Sequence, residues 1–331
     1  MKRKETKNKR KRLTSLLLLL FLTIIMLSAS TYAWFTANKT ITISSLDVHV
    51  ETSEGLQISA DGFQWKTVLS NADIAAASTT YPTTIINQLP TNMEPVSSAG
   101  HVDPATGRLK MFHGSIGEDL DGDFTVTATQ ATDATGTVGN YITFDMFIRS
   151  NVGGQIYLTT DSKVTPKNGF TSKGLENASR VAFVIQGNTP SDSSLTTIQG
   201  LKTTTDSLYI WEPNSDVHTT YGVTAASEFG ITTTVGPDAP VLPYDGVLAA
   251  NPTAIKLLEA NATDNATYFE AVTPALITKA AETSYKPAFT IPAGITKIRV
   301  YMWIEGQDVD CENNASGTDI SFQVQFSSNA S

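Results

Sequence analysis

Residues 13–50 read LTSLLLLLFLTIIMLSASTYAWFTANKTITISSLDVHV, and this stretch passes from an export signal into a β-strand. The twelve residues before it carry eight Lys or Arg and one Glu. The apolar run from Leu16 to Leu27 is interrupted only by Thr23, and small residues follow it. A basic segment, an apolar segment of about 7–15 residues and a small-residue exit are typical of a secretory signal peptide.

The small residues after the apolar run predict where the signal ends. Thr31 and Ala33 supply the small side chains that a signal peptidase needs three residues and one residue before the cut. We therefore expect cleavage between Ala33 and Trp34, which leaves residues 34–331 as the mature chain. The alternative is an uncleaved anchor, because residues 13–35 carry no charge and are long enough for the roughly 20 residues of a membrane span. In either case the positive-inside bias places the rest of the chain outside the cell membrane, secreted or at the surface.

Charge and cysteine content agree with an extracellular protein. The whole chain has a net charge of −9, and without residues 1–33 it has 15 basic and 31 acidic residues, a net charge of −16. Such an acidic surface argues against nucleic acid as a partner, and membrane contact is expected only through residues 13–35 if they are retained. Cys311 is the single cysteine, so no disulfide within the chain is expected, and acidic neighbours should keep its thiol unreactive.

Alternation of apolar and polar residues predicts many short strands. The strand pattern begins at ITISSLDVHV and continues in a hairpin, LQIS-ADG-FQWKTVL. Two antiparallel pairs are expected: YITFDMFIRS with QIYLTT across the Asn151–Gly154 turn, and ITKIRVYMWIEG with DISFQVQFSS across an acidic loop. Single strands are expected at DFTVTATQ, SRVAFVIQG and LYIWEP.

The rest of the chain reads as loops with few helices. Loop-rich excursions are expected at about 70–121 and 214–284, where proline, serine, threonine and asparagine are frequent. Within the first excursion we expect a helix at Asn71–Ala77 and a strand at Arg108–Phe112, and within the second helices at Thr253–Asn261 and Pro274–Glu282. Without an alternation of strands and helices, the fold class is predicted to be all-β. The expected architecture is one antiparallel β-sandwich, of jelly-roll or immunoglobulin-like type, over residues 34–331.

No catalytic motif is visible, and a non-enzymatic protein is expected. The four histidines are His49, His101, His113 and His218, and none has the i, i+4 spacing of a zinc protease helix. Nucleophile-elbow, P-loop and dinucleotide-binding patterns are also missing from the sequence.

Two acidic segments are candidate calcium sites. Oxygen ligands at alternating positions of GEDLDGDF and EGQDVDCE would suit this ion, although neither follows the EF-hand order. The alternative is an exposed acidic turn that keeps the end of a sheet soluble. The candidate ligands are Asp119, Asp121 and Asp123 in the first segment and Asp308, Asp310 and Glu312 in the second.

The junction TYAWFT, followed at once by a strand, resembles bacterial exported proteins with SipW-type signal peptides, the TasA/camelysin-like fibre and surface proteins. The resemblance is best over residues 13–50 and looser over 141–160 and 297–326. It implies a jelly-roll-like sandwich whose mature N-terminal segment can be donated as a strand to the next subunit. Camelysins are described as metalloproteases, but this sequence carries no protease motif to match.

Strand donation is also plausible from the residues themselves. A free N-terminal strand can pair with the sheet edge of a neighbour through main-chain hydrogen bonds, and a head-to-tail series makes a filament. The alternative is that this strand is simply the first strand of its own domain. The candidate assembly residues are Trp34, Phe35, Ile41, Ile43, Leu46, Val48 and Val50.

Three functions are therefore in play. The leading expectation is a biofilm-matrix or surface-fibre subunit that self-associates. The second is a cell-surface binding module for calcium or glycan, in which Trp211, Trp303 and Tyr209 either form a sugar platform or belong to the core. The third is a secreted metalloprotease of camelysin type.

Overall fold

The computed structural model describes residues 41–51, 55–81, 87–118, 124–131, 137–167, 171–205, 207–214, 217–228, 255–256, 275–277, 284–306, 308, 310–311 and 317–330. The signal segment with Thr31, Ala33, Trp34 and Phe35 lies outside these residues. Among the described residues no helix is long and apolar enough to cross a membrane.

The described chain is mostly β-strand, which confirms the all-β prediction. The strands are β1 Ile41–Val50, β2 Gln57–Ser59, β3 Val68–Ser70, β4 Asn92–Met93, β5 Ser97–Asp103, β6 Arg108–Glu118, β7 Phe124–Gln130, β8 Val138–Gly139, β9 Tyr141–Ser150, β10 Gly154–Leu158, β11 Lys163–Pro166, β12 Ser179–Thr189, β13 Leu208–Trp211, β14 Ile255–Lys256, β15 Ala275–Ile277, β16 Lys286–Ile291, β17 Gly294–Ile304 and β18 Asp319–Ser327. The helices are α1 Asn71–Ala76, α2 Leu195–Gly200 and α3 Thr220–Glu228, and a 3-10 turn follows α1 at Ala77–Thr79.

The strands form three sheets. Sheet 1 has eight strands in the order β16-β10-β18-β1-β4-β8, with β11 also paired to β18 and β3 to β1. Sheet 2 has six strands in the order β15-β13-β12-β17-β9-β2, and sheet 3 has four in the order β14-β7-β6-β5. Most pairs are antiparallel, as expected. However, β1–β18, β4–β8 and β13–β15 are parallel, which the sequence pattern did not predict.

Sheet 2 is the middle layer, because both of its faces are buried. One face shares the main core with sheet 1, where Phe144 and Val300 pack with residues of β1 and β18. The other face packs Tyr301 and Trp303 against Leu109 and its neighbours in sheet 3. Every residue of β17 is consequently buried, which explains its almost continuous apolar sequence.

The two predicted antiparallel pairs are wrong. β9 lies in sheet 2 and β10 in sheet 1, so the Asn151–Gly154 turn carries the chain from one sheet to the other. Gly153 makes this crossing possible: its φ is +62°, and a Cβ there would lie 2.5 Å from the backbone nitrogen of Ala293. Likewise β17 lies in sheet 2 and β18 in sheet 1.

The predicted hairpin is only partly correct. Ile58 and Lys66 exchange two backbone hydrogen bonds of 2.8 Å, but β2 then pairs with β9 and β3 with β1. The helix at Asn71–Ala77 is confirmed as α1, whose N-cap is the Ser70 side chain. The strand at Arg108–Phe112 is confirmed as the first half of β6.

The two loop-rich excursions hold more regular structure than expected. Strands β4, β5 and β6 lie in the first. In the second, the predicted helices are wrong where the structure describes them, because Ile255–Lys256 and Ala275–Ile277 are strands. The sequence pattern did not predict α2 or α3.

Candidate functional site

The first strand, β1, occupies the interior of sheet 1. It runs parallel to β18, from Thr42 opposite Asp319 to Val50 opposite Phe326. On its other side it pairs antiparallel with β4 near Thr42 and with β3 near Val48. All three neighbours come from other parts of the chain, so β1 fills a gap between β18 on one side and β3 and β4 on the other. We call this gap the slot.

Alternate side chains of β1 enter the main core. Leu46 and Val48 are each 1% exposed and Val50 is 5% exposed. Asp47 and His49 lie between them on the other face and are half-buried. This is the period-2 pattern that the sequence predicts. Of the remaining predicted assembly residues, Ile41 and Ile43 lie in β1, and their side chains are outside the described part of the chain.

The end of β1 is fastened by hydrogen bonds on both sides. The Val50 amide donates to the Thr67 carbonyl and the Glu51 amide to the Phe326 carbonyl, both at 2.9 Å. The Tyr285 hydroxyl donates to the Glu51 carboxylate at 2.9 Å. These contacts fix the register of the strand in its slot.

The second candidate region is a buried group of charged side chains at the ends of β12, β13 and β17. We call it the acidic cluster: Arg180, Glu212, His218, Asp308 and Asp310. Asp308 and Asp310 are 4% and 0% exposed, so the prediction of an exposed acidic turn at EGQDVDCE is wrong. The other calcium candidates, Asp119, Asp121, Asp123 and Glu312, lie outside the described residues.

Asp310 is the centre of the acidic cluster. One carboxylate oxygen lies 2.8 Å from Nδ1 of His218 and accepts a hydrogen bond from the side-chain Nδ2 of Asn177 at 2.9 Å. The other oxygen accepts from the amide and the hydroxyl of Thr219, at 2.9 and 2.5 Å. Donors of the chain itself therefore surround both oxygens.

Asp308 is held by a guanidinium. Nη2 of Arg180 lies 2.8 Å from Asp308 and 2.9 Å from Glu212, so one cation serves two carboxylates. The second oxygen of Asp308 accepts from the Asp310 amide at 2.9 Å. Burial raises the pKa of Asp308, against the opposing effect of Arg180.

Sequence reasoning named His218 only as one of four histidines, and it did not single out Arg180 or Glu212 at all. The side chain of His218 is 1% exposed, and among the described residues its Nε2 has no hydrogen-bond partner. Burial lowers the pKa of His218, but the hydrogen bond to Asp310 and the nearby charges of Asp308 and Glu212 outweigh it. The pKa is therefore raised above the ordinary value of 6.5.

These side chains meet the distance requirement of a metal site. One ligand atom each of His218, Asp308 and Asp310 lie within 4.8 Å of one another. These ligands do not favour a metal ion, however. The carboxylate oxygens already accept hydrogen bonds from N–H and O–H groups, and the positively charged guanidinium of Arg180 would repel a cation. In this geometry the side chains make hydrogen bonds to other residues of the chain. Calcium binding stays a prediction, and it would require these hydrogen-bond donors to find other acceptors.

The aromatic residues considered as a sugar platform belong to the core. Trp211 and Trp303 are each 1% exposed, and half-buried Tyr209 packs against Phe289 with ring centroids 6.0 Å apart. The prediction of a sugar platform is therefore wrong, and the alternative, that these residues pack in the core, is confirmed.

A second buried ion network lies on the sheet 3 side of sheet 2, and sequence reasoning missed it too. Asp145 pairs with Arg299 through contacts of 2.8 and 3.2 Å and with Lys297 at 3.3 Å. The Tyr81 hydroxyl donates to Asp145 at 2.9 Å. The available signal was the presence of charged residues inside apolar strands, Asp145 in YITFDMFIRS and both Lys297 and Arg299 in ITKIRVYMWI.

Comparison of the chain with family models, with curated proteins and with solved structures gave no significant match.

Proposed function

We propose that this chain is a non-enzymatic secreted or cell-surface structural protein, a biofilm-matrix or surface-fibre subunit that assembles through its N-terminal strand. A signal peptidase would release residues 1–33, or residues 13–35 would anchor the chain if they are kept. The sandwich formed by sheets 1 and 2 is proposed to be of jelly-roll or immunoglobulin-like type. The observation that carries the proposal is the position of β1 inside sheet 1, between β18 on one side and β3 and β4 on the other.

A strand in this position can be exchanged between copies. Its main-chain hydrogen bonds and its three buried side chains, Leu46, Val48 and Val50, are the same whether β1 comes from its own chain or from a neighbour. When each copy fills the slot of the next and the series does not close, a filament results.

The first experiment compares two versions of the chain by electron microscopy, one starting at Trp34 and one starting at Leu46. We expect fibres from the first and monomers from the second, which lacks the start of the strand. Monomers from both would contradict self-assembly and favour the cell-surface binding module, for which calcium-dependent thermal stability is the test. Chelator-sensitive casein cleavage would instead favour the metalloprotease.

The second experiment asks which chain supplies the strand. His49 and Gln325 are register partners across β1 and β18, so the double variant His49→Cys, Gln325→Cys in a Cys311→Ala background places one thiol on each strand. After oxidation of the assembled protein, strand donation predicts a ladder of covalent multimers on a non-reducing gel. Crosslinks confined to single chains would show that β1 remains in its own domain.

A further inference from the structure

We propose that β1 inhibits assembly while it occupies the slot of its own chain, and that its release has to come before donation to a neighbour. Because this regulation concerns the same strand and the same slot, it rests on the proposed function. The folded single chain is then a latent form of the protein. The hydrogen bond between Tyr285 and Glu51, which we call the latch, helps to hold it closed.

The slot is full when β1 lies in its own chain. β1 pairs with β18 from Thr42 to Val50, and β3 and β4 pair with its other edge. The strand of a neighbour would need the same main-chain partners and the same core positions as Leu46, Val48 and Val50. Two strands therefore compete for one slot, and a donated strand can enter only after β1 has left.

Release of β1 has to break many contacts before new ones form. The three buried side chains, Leu46, Val48 and Val50, lose their place in the main core and become exposed to water. The main-chain pairing with β18 is lost along almost the whole strand. Openings that expose so much core are rare in a folded protein, since their free energy approaches that of global unfolding. A folded chain should therefore meet other copies far more often than its β1 is free to pair with them.

The latch lies where β1 leaves sheet 1. The Glu51 amide donates to the Phe326 carbonyl, and the Tyr285 hydroxyl donates to the Glu51 carboxylate, both at 2.9 Å. Tyr285 directly precedes β16, which lies at one edge of sheet 1. Since opening is easiest at the end of an element, this bond resists the start of release. An acceptor offers the same hydroxyl to a donated strand, so the latch changes the rate of exchange more than its end point.

The experiment locks β1 in its own slot with a disulfide. The double variant His49→Cys, Gln325→Cys, in the Cys311→Ala background, is oxidised as a dilute, processed full chain, and crosslinked single chains are isolated by gel filtration. The probe is a fluorescent peptide with the sequence of residues 41–51, ITISSLDVHVE. The oxidised chain should neither take up the peptide nor form fibres, and reduction with dithiothreitol should restore both. His49→Cys alone in the same background is the control, and reduction should leave its uptake unchanged.

Uptake of the peptide by the oxidised chain at the rate of the reduced chain would overturn the proposal, because β1 would then not need to leave. So would a reduced chain that never binds the peptide, even after refolding from urea in its presence. A single chain that does not crosslink would overturn it as well, because β1 would then not lie beside its own β18.

Fibres, scored by electron microscopy, separate this inference from the proposed function. If reduction restores uptake of the peptide but neither form makes fibres, the latent slot stands and the proposed assembly is wrong. If the oxidised and the reduced chain make fibres equally well, assembly stands and the latent slot is wrong.

Tyr285→Phe tests the latch in the otherwise unchanged chain. Because it removes one hydrogen bond from the end of β1, uptake of the peptide should become roughly 2–10-fold faster. Tyr221→Phe, which removes the hydroxyl of an exposed tyrosine in α3, is the matched control and should leave the rate unchanged. Equal rates for Tyr285→Phe and the wild-type chain would overturn the assignment of the latch.

Discussion

Val48 in β1 lies directly opposite Val324 in β18, in a parallel pair, and both side chains are 1% exposed. The first and the last strand of the described chain thus share one part of the core. The stability of the fold should therefore depend strongly on β1.

Truncation of a β1 core residue tests this dependence. We expect Leu46→Ala to lower the free energy of unfolding by about 2–5 kcal/mol, because it leaves a cavity between sheets 1 and 2. Thr42→Ala, at an exposed position of the same strand, is the matched control and should change it by less than about 0.5 kcal/mol. Urea unfolding measures both, and equal effects would mean that β1 is not packed as described.

Removal of the charge of Asp145 should be severely destabilising. Asp145→Asn leaves Arg299 and Lys297 buried without their shared carboxylate, at an expected cost of about 3–5 kcal/mol. Asp192→Asn, on an exposed turn, should be nearly neutral. A loss of less than about 1 kcal/mol for Asp145→Asn would contradict a closed ion network.

Acid should unfold the protein only at low pH. Although burial opposes it, the charges of Arg299 and Lys297 lower the pKa of Asp145 below 3.8, and the Lys66 hydrogen bond lowers that of Asp73. Such groups stabilise the fold above their unfolded pKa, and this stabilisation is lost as the pH falls through the folded pKa. The near-UV circular dichroism signal should therefore persist to below about pH 4. Cooperative loss of that signal already above pH 5 would show that these carboxylates are not ionised partners.

Two glycines offer a matched comparison of backbone strain. Gly294 at the start of β17 has a φ of +112°, and a Cβ there would lie 2.4 Å from the Thr189 carbonyl oxygen. Gly200 at the end of α2 has open space around its Cβ position. Gly294→Ala should destabilise by at least about 1–3 kcal/mol, and Gly200→Ala should be neutral or slightly stabilising. The midpoints of thermal unfolding decide this, and a harmless Gly294→Ala would contradict the close approach of β17 to β12.

Cys311 provides a simple probe of the core. Its side chain is buried in the main core, so a thiol reagent such as DTNB should not react with the native protein and should react fully in guanidinium chloride. Rapid reaction under native conditions would place the loop after β17 at the surface.

The sequence predicted helix α1 and many of the strands, because these elements depend on neighbouring residues. The helices predicted at Thr253–Asn261 and Pro274–Glu282 were wrong where the structure describes them, and α2 and α3 were missed. The alternation around Val48 and Val50, the helix that begins at Asn71 and the apolar run of β17 each depend on residues within a few positions of one another. Strand pairing failed for the opposite reason. Nothing within the Asn151–Gly154 turn tells whether the next strand returns to the same sheet or enters the facing one.

The sequence revealed only part of the acidic cluster, for a similar reason. Asp308 and Asp310 stood out as neighbours in EGQDVDCE, but their burial and their partners depend on Arg180 and His218, which are far away in the sequence. Mixed charges that converge from distant segments leave no local pattern. The charges within apolar strands, at Asp145, Lys297 and Arg299, were the better clue to burial.

The parallel pair of β1 and β18 also sets the order in which the molecule can fold. Residues 41–50 emerge from the ribosome early, yet their partner strand is at residues 319–327, so sheet 1 cannot close until almost the entire chain has been made. Contacts between such distant residues form slowly, because a very long loop has to be ordered first. Until β18 has been made, the edge of β1 that pairs with it lacks this partner strand, so the part of the main core that Val48 and Val324 share cannot form.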